Sequence, residues 1–169
     1  MSMLQVAVLT VLPTAVAFAA AMDLFTMKIP NAISLLLVLA FFPMALFAGF
    51  DPWSIAEHLA AGVLMLVVGV LLFIAGWFGG GDAKLMAAVG LWIGADNLLA
   101  YTLYVALAGG LIAVVFFSAR AVPLPRVLLG EAWALRLHRH DSGIPYGLAL
   151  ASGALLVYPH TVWFAALGG

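Results

Sequence analysis

Apolar residues in this chain fall into long runs separated by short polar or glycine–proline breaks. Runs over residues 4–22, 32–50, 55–78, 97–119 and 144–167 are each near the roughly 20 residues that cross a bilayer as a helix. Residues 83–94 form a shorter apolar segment, which crosses only with help from its flanks or from local thinning. The breaks have physical causes. Pro30 disfavours helix at Ile29, and Asn31 is placed to cap the second helix. Asp51-Pro52 opens the turn before the third helix. Gly79-Gly80-Gly81 ends that helix and lets the backbone approach closely. Pro13, Pro43 and Pro159 fall inside runs, where kinks are expected. Gly62, Gly69 and Gly76 share a heptad spacing, which predicts a small-residue face for helix packing in lipid.

Composition turns these runs into a fold class. The chain has 169 residues, 67% hydrophobic and 8% charged, where a soluble domain carries about 25% charged residues. It cannot cover a water-facing surface. The expected fold is all-α: a polytopic membrane bundle of six transmembrane helices, forming one domain over residues 1–169. The longest stretch of mixed polarity, residues 120–143, leaves no room for a separate soluble domain. There are no cysteines, which excludes disulfides, thiolate zinc sites and cysteine nucleophiles. A net charge of −1 says little about partners, and no nucleic acid is expected among them. The first run ends near Ala19-Ala20-Ala21 but has no Lys or Arg before it. A signal peptide normally carries basic residues there, so this run is read as a retained first helix.

Charge decides between five and six crossings. With six, the loops 23–31, 79–84 and 120–143 share one side. They hold Lys28, Lys84, Arg120, Arg126, Arg136 and Arg139, which is every Lys and Arg in the chain. The other side holds Asp51, Glu57 and Asp96. Five crossings would separate residues 120–139 from Lys28 and Lys84. Six are therefore favoured, with the basic side in the cytoplasm and both termini outside the cytoplasmic membrane.

The same count places Asp23 and Asp82 on one side. A carboxylate near hydrocarbon is expensive, and two on one face suggest paired acid–base chemistry. The simpler reading makes both ordinary helix-end residues, with Asp82 an N-cap; three glycines before Asp82 weigh against it. Two carboxylates that approach each other share one proton. Such a pair can activate water for attack on a peptide carbonyl while the protonated member supports the oxyanion. Helix-end dipoles would divide the labour between Asp82 at a helix start and Asp23 at a helix end.

Asp23 with Ile29-Pro30-Asn31, and Gly79-Gly80-Gly81-Asp82-Ala83-Lys84-Leu85 opening a later helix, resemble the type IV prepilin peptidases, which are GxGD-type intramembrane aspartic proteases. The resemblance covers the six-helix frame of nearly the whole chain. It implies a membrane aspartic endopeptidase with Asp23 and Asp82 as the catalytic pair and Gly79, Gly81, Lys84, Pro30 and Asn31 as supporting motif residues. The implied partners are a prepilin-like protein substrate and the lipid bilayer. Cleavage would fall at the cytoplasmic edge, between a short basic leader and a hydrophobic helix, typically after a glycine. Water is the nucleophile, and no metal or organic cofactor is needed.

Larger members carry a cysteine-bearing segment between the first two helices and also methylate the new N-terminus. Here that loop is only residues 23–31 and has no Cys. Cleavage without N-methyltransferase activity is expected, as in the short peptidases of tight-adherence (Flp) pilus systems. Leu24, Phe25, Thr26 and Met27 precede Lys28, where family members often have basic residues. Archaeal preflagellin peptidases share both motifs, so bacterial pilin and archaeal flagellin-type substrates both stay open.

The remaining candidates read more simply. Lys84 is either a charge partner of Asp82 or a side chain snorkelling to lipid phosphates, the second being favoured. His138-Arg139-His140-Asp141 reads as a solvated basic loop rather than a metal site. Residues 125–140 alternate basic and apolar positions as a helix at the membrane surface would. Pro145 suits a helix first turn, and Tyr146 reads as an interface aromatic. His58 and His160 look structural. Two rival classes remain: a small carboxylate-dependent membrane transporter and a non-catalytic subunit of a secretion complex.

Overall fold

A computed structural model describes residues 3–167, with side chains over 5–164. The chain is all-α, with no strand among the described residues. Its helices are α1 (Met3–Thr26), α2 (Asn31–Phe47), α3 (Pro52–Ile74), α4 (Gly80–Ile93), α5 (Leu98–Arg120), α6 (Ala132–His138), α7 (Gly147–Val157) and α8 (Val162–Leu167). Among the described residues, three stretches are long and apolar enough to cross a membrane: Gln5–Thr26, Pro52–Ile74 and Leu98–Arg120. Asn31–Phe47 and Gly147–His160 are shorter apolar helices. The termini, expected outside, fall beyond the described residues.

Each expected run contains helix, but local chemistry resets the ends. Helix α2 stops at Phe47, with Gly49 at φ +79°. The N–H groups of Gly49 and Phe50 return to the Leu46 and Ala45 carbonyls at 3.2 and 3.0 Å. Helix α3 stops the same way at Gly76 (φ +77°), with Gly76 and Trp77 donating to the Phe73 and Leu72 carbonyls, each at 3.0 Å. This pattern satisfies the last carbonyls of a helix and uses a glycine in the left-handed region. Gly76 is therefore a stop signal, not the third member of the expected small-residue face. Asp51 caps α3, accepting the Ser54 N–H at 2.7 Å, with Pro52 in the first turn. The last run is not one helix. Pro159 lies in a 3-10 turn over Tyr158–His160, and Thr161 is extended before α8, since proline lacks the N–H that would continue the ladder. Helix α7 also begins two residues after Pro145. Residues 125–140 form a 3-10 turn over Arg126–Leu128 followed by α6, not one interfacial helix.

Helix α4 is the centre of the molecule. It packs most extensively against α3 and also touches α2, α5 and α7. Nearly every side chain from Asp82 to Ile93 is buried, so the helix has no solvent face and no amphipathic stripe. Its contact with α3 depends on missing side chains. A Cβ on Gly69 would lie 2.9 Å from Ala83 Cα, and one on Gly90 would lie 2.6 Å from Met65 Cγ. Gly69→Val is expected to destabilise the fold by about 1–3 kcal/mol, read as a lower unfolding temperature in detergent. It would also displace the end of α4 that carries Asp82.

The two ends of the bundle differ in chemistry. One end is closed by aromatic packing of Phe41, Phe50, His58, Trp92 and Trp163. Several of its buried polar groups are satisfied by backbone: Trp92 Nε1 donates to Leu37 O at 2.9 Å and Trp163 Nε1 to Trp92 O at 2.7 Å. Tyr158 O–H donates to Val8 O at 2.6 Å, and His58 Nδ1 lies 2.7 Å from Leu91 O. His58 is thus structural, as expected.

The other end gathers the basic loops. Arg120 donates to the Leu137 and Gly143 carbonyls, each at 2.8 Å, and Arg136 donates to Phe25 O at 2.9 Å. Trp133 meets the Phe25 ring edge-on with centroids 5.4 Å apart. Arg139 pairs with exposed Asp141 at 2.6 Å, and its hydrogen bonds hold that carboxyl below the usual range. His138 ends α6, and Arg139, His140 and Asp141 after it are exposed.

Candidate active site

Asp23 lies in the last turn of α1 and Asp82 in the first turn of α4, both at the basic end. Their sequence-based placements shift slightly. Helix α1 continues past Asp23 to Thr26. Helix α4 begins at Gly80, so Gly79 holds the cap position and Asp82 is inside the helix. Asp82 Oδ2 reaches back to accept the Gly79 N–H at 2.9 Å, the reciprocal half of a capping box. Its other oxygen, Oδ1, is buried with no hydrogen-bond partner among the described residues. Asp23 Oδ2 accepts the N–H of Gly147, the first residue of α7, at 2.7 Å. Both carboxylates therefore stand at helix starts, and the helix-end argument no longer separates them.

Both carboxylates are buried, although each stands at a helix end. Asp23 is 5% exposed and Asp82 9%. They line one cavity of about 320 Å³, together with Met27, Lys28, Ile29, Gly79, Gly80 and Gly81.

The two sequence motifs are packed onto each other. After Asp23 the chain reverses at Met27, which adopts φ +55°, an uncommon conformation for a side chain without a short polar group. Its N–H bonds Asp23 O at 2.7 Å. This turn brings Ile29 against Gly81, where a Cβ would lie 3.0 Å from Ile29 Cβ and 3.2 Å from Ile29 O. Gly81 acts through the space it leaves, not through loop flexibility, since Gly80 and Gly81 are helical. Pro30 occupies the cap position of α2 with no side-chain cap. Asn31 does not cap that helix: its Oδ1 accepts from Lys84 Nζ at 3.0 Å. Lys84 makes no ion pair with Asp82 among the described residues. It ties the second motif to the first.

Sequence reasoning missed Gly147. A Cβ there would lie 2.9 Å from both Asp23 Cβ and Oδ2, so the position combines an N–H donor with absence of bulk. The available signal was Pro145-Tyr146-Gly147 opening a helix at the right end of the bundle. Tyr146 lies outside the aspartate cavity; its ring stacks on Phe78 with centroids 4.9 Å apart.

Comparison with curated proteins and with solved structures gives no match. The sequence pattern of the type IV leader peptidase family matches residues 10–114. That span is more than half of the chain. It runs from within α1 through most of α5 and includes both aspartates and both motifs, but not Gly147. With several apolar helices of membrane-crossing character, this membrane protein belongs to the type IV leader peptidase family.

Proposed function

We propose that this protein is an aspartic endopeptidase that removes the leader from prepilin-like precursors at the cytoplasmic edge of the inner membrane, with Asp23 and Asp82 as its catalytic pair. One observation carries the reading: two buried carboxylates from different helices line a single cavity at the basic end of an apolar bundle. One member of the pair holds a proton. The other takes a proton from water as the water attacks the scissile carbonyl. The protonated member donates to the developing oxyanion, and a proton then passes to the leaving amine. The hydrogen bonds from Gly79 and Gly147 each engage one carboxylate oxygen, which orients both groups. The unpartnered Asp82 Oδ1 is the oxygen offered to water or substrate.

In this reading α1, α2, α3, α4, α5 and the α7–α8 segment make six crossings, with the basic end in the cytoplasm. Helix α4 has 14 residues, about 21 Å of helix, which is shorter than the hydrocarbon core. It crosses sheathed by its neighbours, where protein rather than lipid covers it. The connection between α1 and α2 is too short for a methyltransferase segment, so the new N-terminus is left unmethylated. A carboxylate-dependent transporter would use acidic groups near the membrane midplane; the helix-end positions of Asp23 and Asp82 favour the peptidase.

Co-expression with candidate precursors tests this reading. The expected result is a gel-mobility shift from leader loss and, by mass spectrometry, an unmethylated mature N-terminus. Precursors left intact by well-folded protein would overturn it. Lys84→Met removes the tie to Asn31 and is expected to slow cleavage by less than about tenfold, the scale of one hydrogen bond, measured as an initial rate.

A further inference from the structure

We propose that Phe78 and Tyr146 are positioning residues that set the spacing of the two carboxylates; this inference rests on the peptidase reading. Phe78 immediately precedes Gly79, whose N–H holds Asp82 Oδ2 at 2.9 Å. Tyr146 immediately precedes Gly147, whose N–H holds Asp23 Oδ2 at 2.7 Å. The two rings pack together with centroids 4.9 Å apart and planes at 37°. A peptide unit is rigid and planar, so the Cα of one residue and the N–H of the next move as one body. Each ring thus anchors one end of a peptide plane whose other end is held where a helix begins, at Gly79 before α4 and at Gly147 in α7, and together these anchors restrain the direction of the N–H. The ring contact is a direct bridge between the two peptide units that hold the aspartates.

The surroundings make the bridge more than general packing. Tyr146 is backed by Gly109 of α5, where a Cβ would lie 3.4 Å from its Cε1, so its ring is confined on that side. Both rings line an apolar cavity of about 300 Å³ with Met86, one helical turn beyond Asp82. Neither ring lines the cavity holding the aspartates, so neither touches the reacting atoms. Their role is to hold two carboxylates, carried on α1 and α4, at a separation that suits one water and one carbonyl.

The test is steady-state cleavage of a purified precursor by purified protein in proteoliposomes, with Phe78→Leu, Tyr146→Leu, the double variant, Phe78→Tyr and Tyr146→Phe. A misplacement of about 1 Å near reacting groups costs on the order of a hundredfold. Each Leu variant is expected to lower kcat at least about tenfold with KM little changed. The double variant should be no slower than the slower single one, since either change breaks the same bridge. The ring-preserving variants should keep wild-type kcat. Leu variants with wild-type kcat, a loss confined to KM, or losses that multiply in the double variant would each overturn the proposal. If wild type itself leaves the precursor uncut, the peptidase reading fails and takes this inference with it. If wild type cuts and the Leu variants cut equally fast, the positioning role alone fails.

Discussion

Asp82→Asn is expected to lower leader cleavage by at least about a hundredfold, the lower range for loss of a general acid or base, while the protein stays folded. The amide has the shape of the carboxylate, and its oxygen can still accept the Gly79 N–H that Asp82 Oδ2 accepts now. What disappears is the ability to take up and release a proton. Because Asp82 is buried with one oxygen unpartnered, removing its charge should not weaken the fold, since burying an ionised group is costly. Rate and stability are therefore expected to part company: single-turnover cleavage collapses, while the unfolding temperature holds or rises. A variant that loses both together would point to a structural role for Asp82.

Gly147→Ala is the second large effect, and it acts without replacing any titratable group. Its new Cβ would lie 2.9 Å from Asp23 Cβ and Oδ2, and 3.2 Å from Cγ, closer than such atoms settle. Either Asp23 swings out of the cavity or the start of α7 shifts and withdraws its N–H. A displacement of about 1 Å in either direction predicts a loss on the order of a hundredfold in cleavage rate. Gly110→Ala is the control: it also adds one methyl group to a glycine of this bundle, but with nothing within 4 Å of the new Cβ. It should cleave at the wild-type rate. Equal rates for the two variants would remove Gly147 from the site.

The membrane class, the helix-rich fold and the placement of Asp23 and Asp82 at one end of the bundle were legible in the sequence because each depends on a long or repeated signal. Runs of apolar residues report helices, and the one-sided distribution of Lys and Arg reports which loops gather together. Helix ends were less legible. The chain around Gly76 reads as continuous helix because nothing local distinguishes a packing glycine from one in the left-handed region; the distinction depends on where Trp77 and Gly76 send their N–H groups. Similarly, Gly79-Gly80-Gly81 reads as a helix break, yet Gly81 owes its identity to Ile29, which reaches it only after the turn at Met27. Lys84 and Asn31 are far apart in the chain, and their hydrogen bond follows from the parallel packing of α2 and α4, which start at the same end of the bundle. Gly147 was illegible for the same reason: its importance comes from Asp23, at the other end of the chain, and a backbone donor leaves no trace in side-chain type.

The central claim is that Asp23 and Asp82 act as one unit on one peptide bond. Single-turnover cleavage of a purified precursor by wild type, Asp23→Asn, Asp82→Asn and the double variant tests it most directly. Groups that act together are not additive, so all three variants should sit at the same residual rate, at least about a hundredfold below wild type. Near-wild-type cleavage by either single variant, or a double variant far slower than both, would contradict the account.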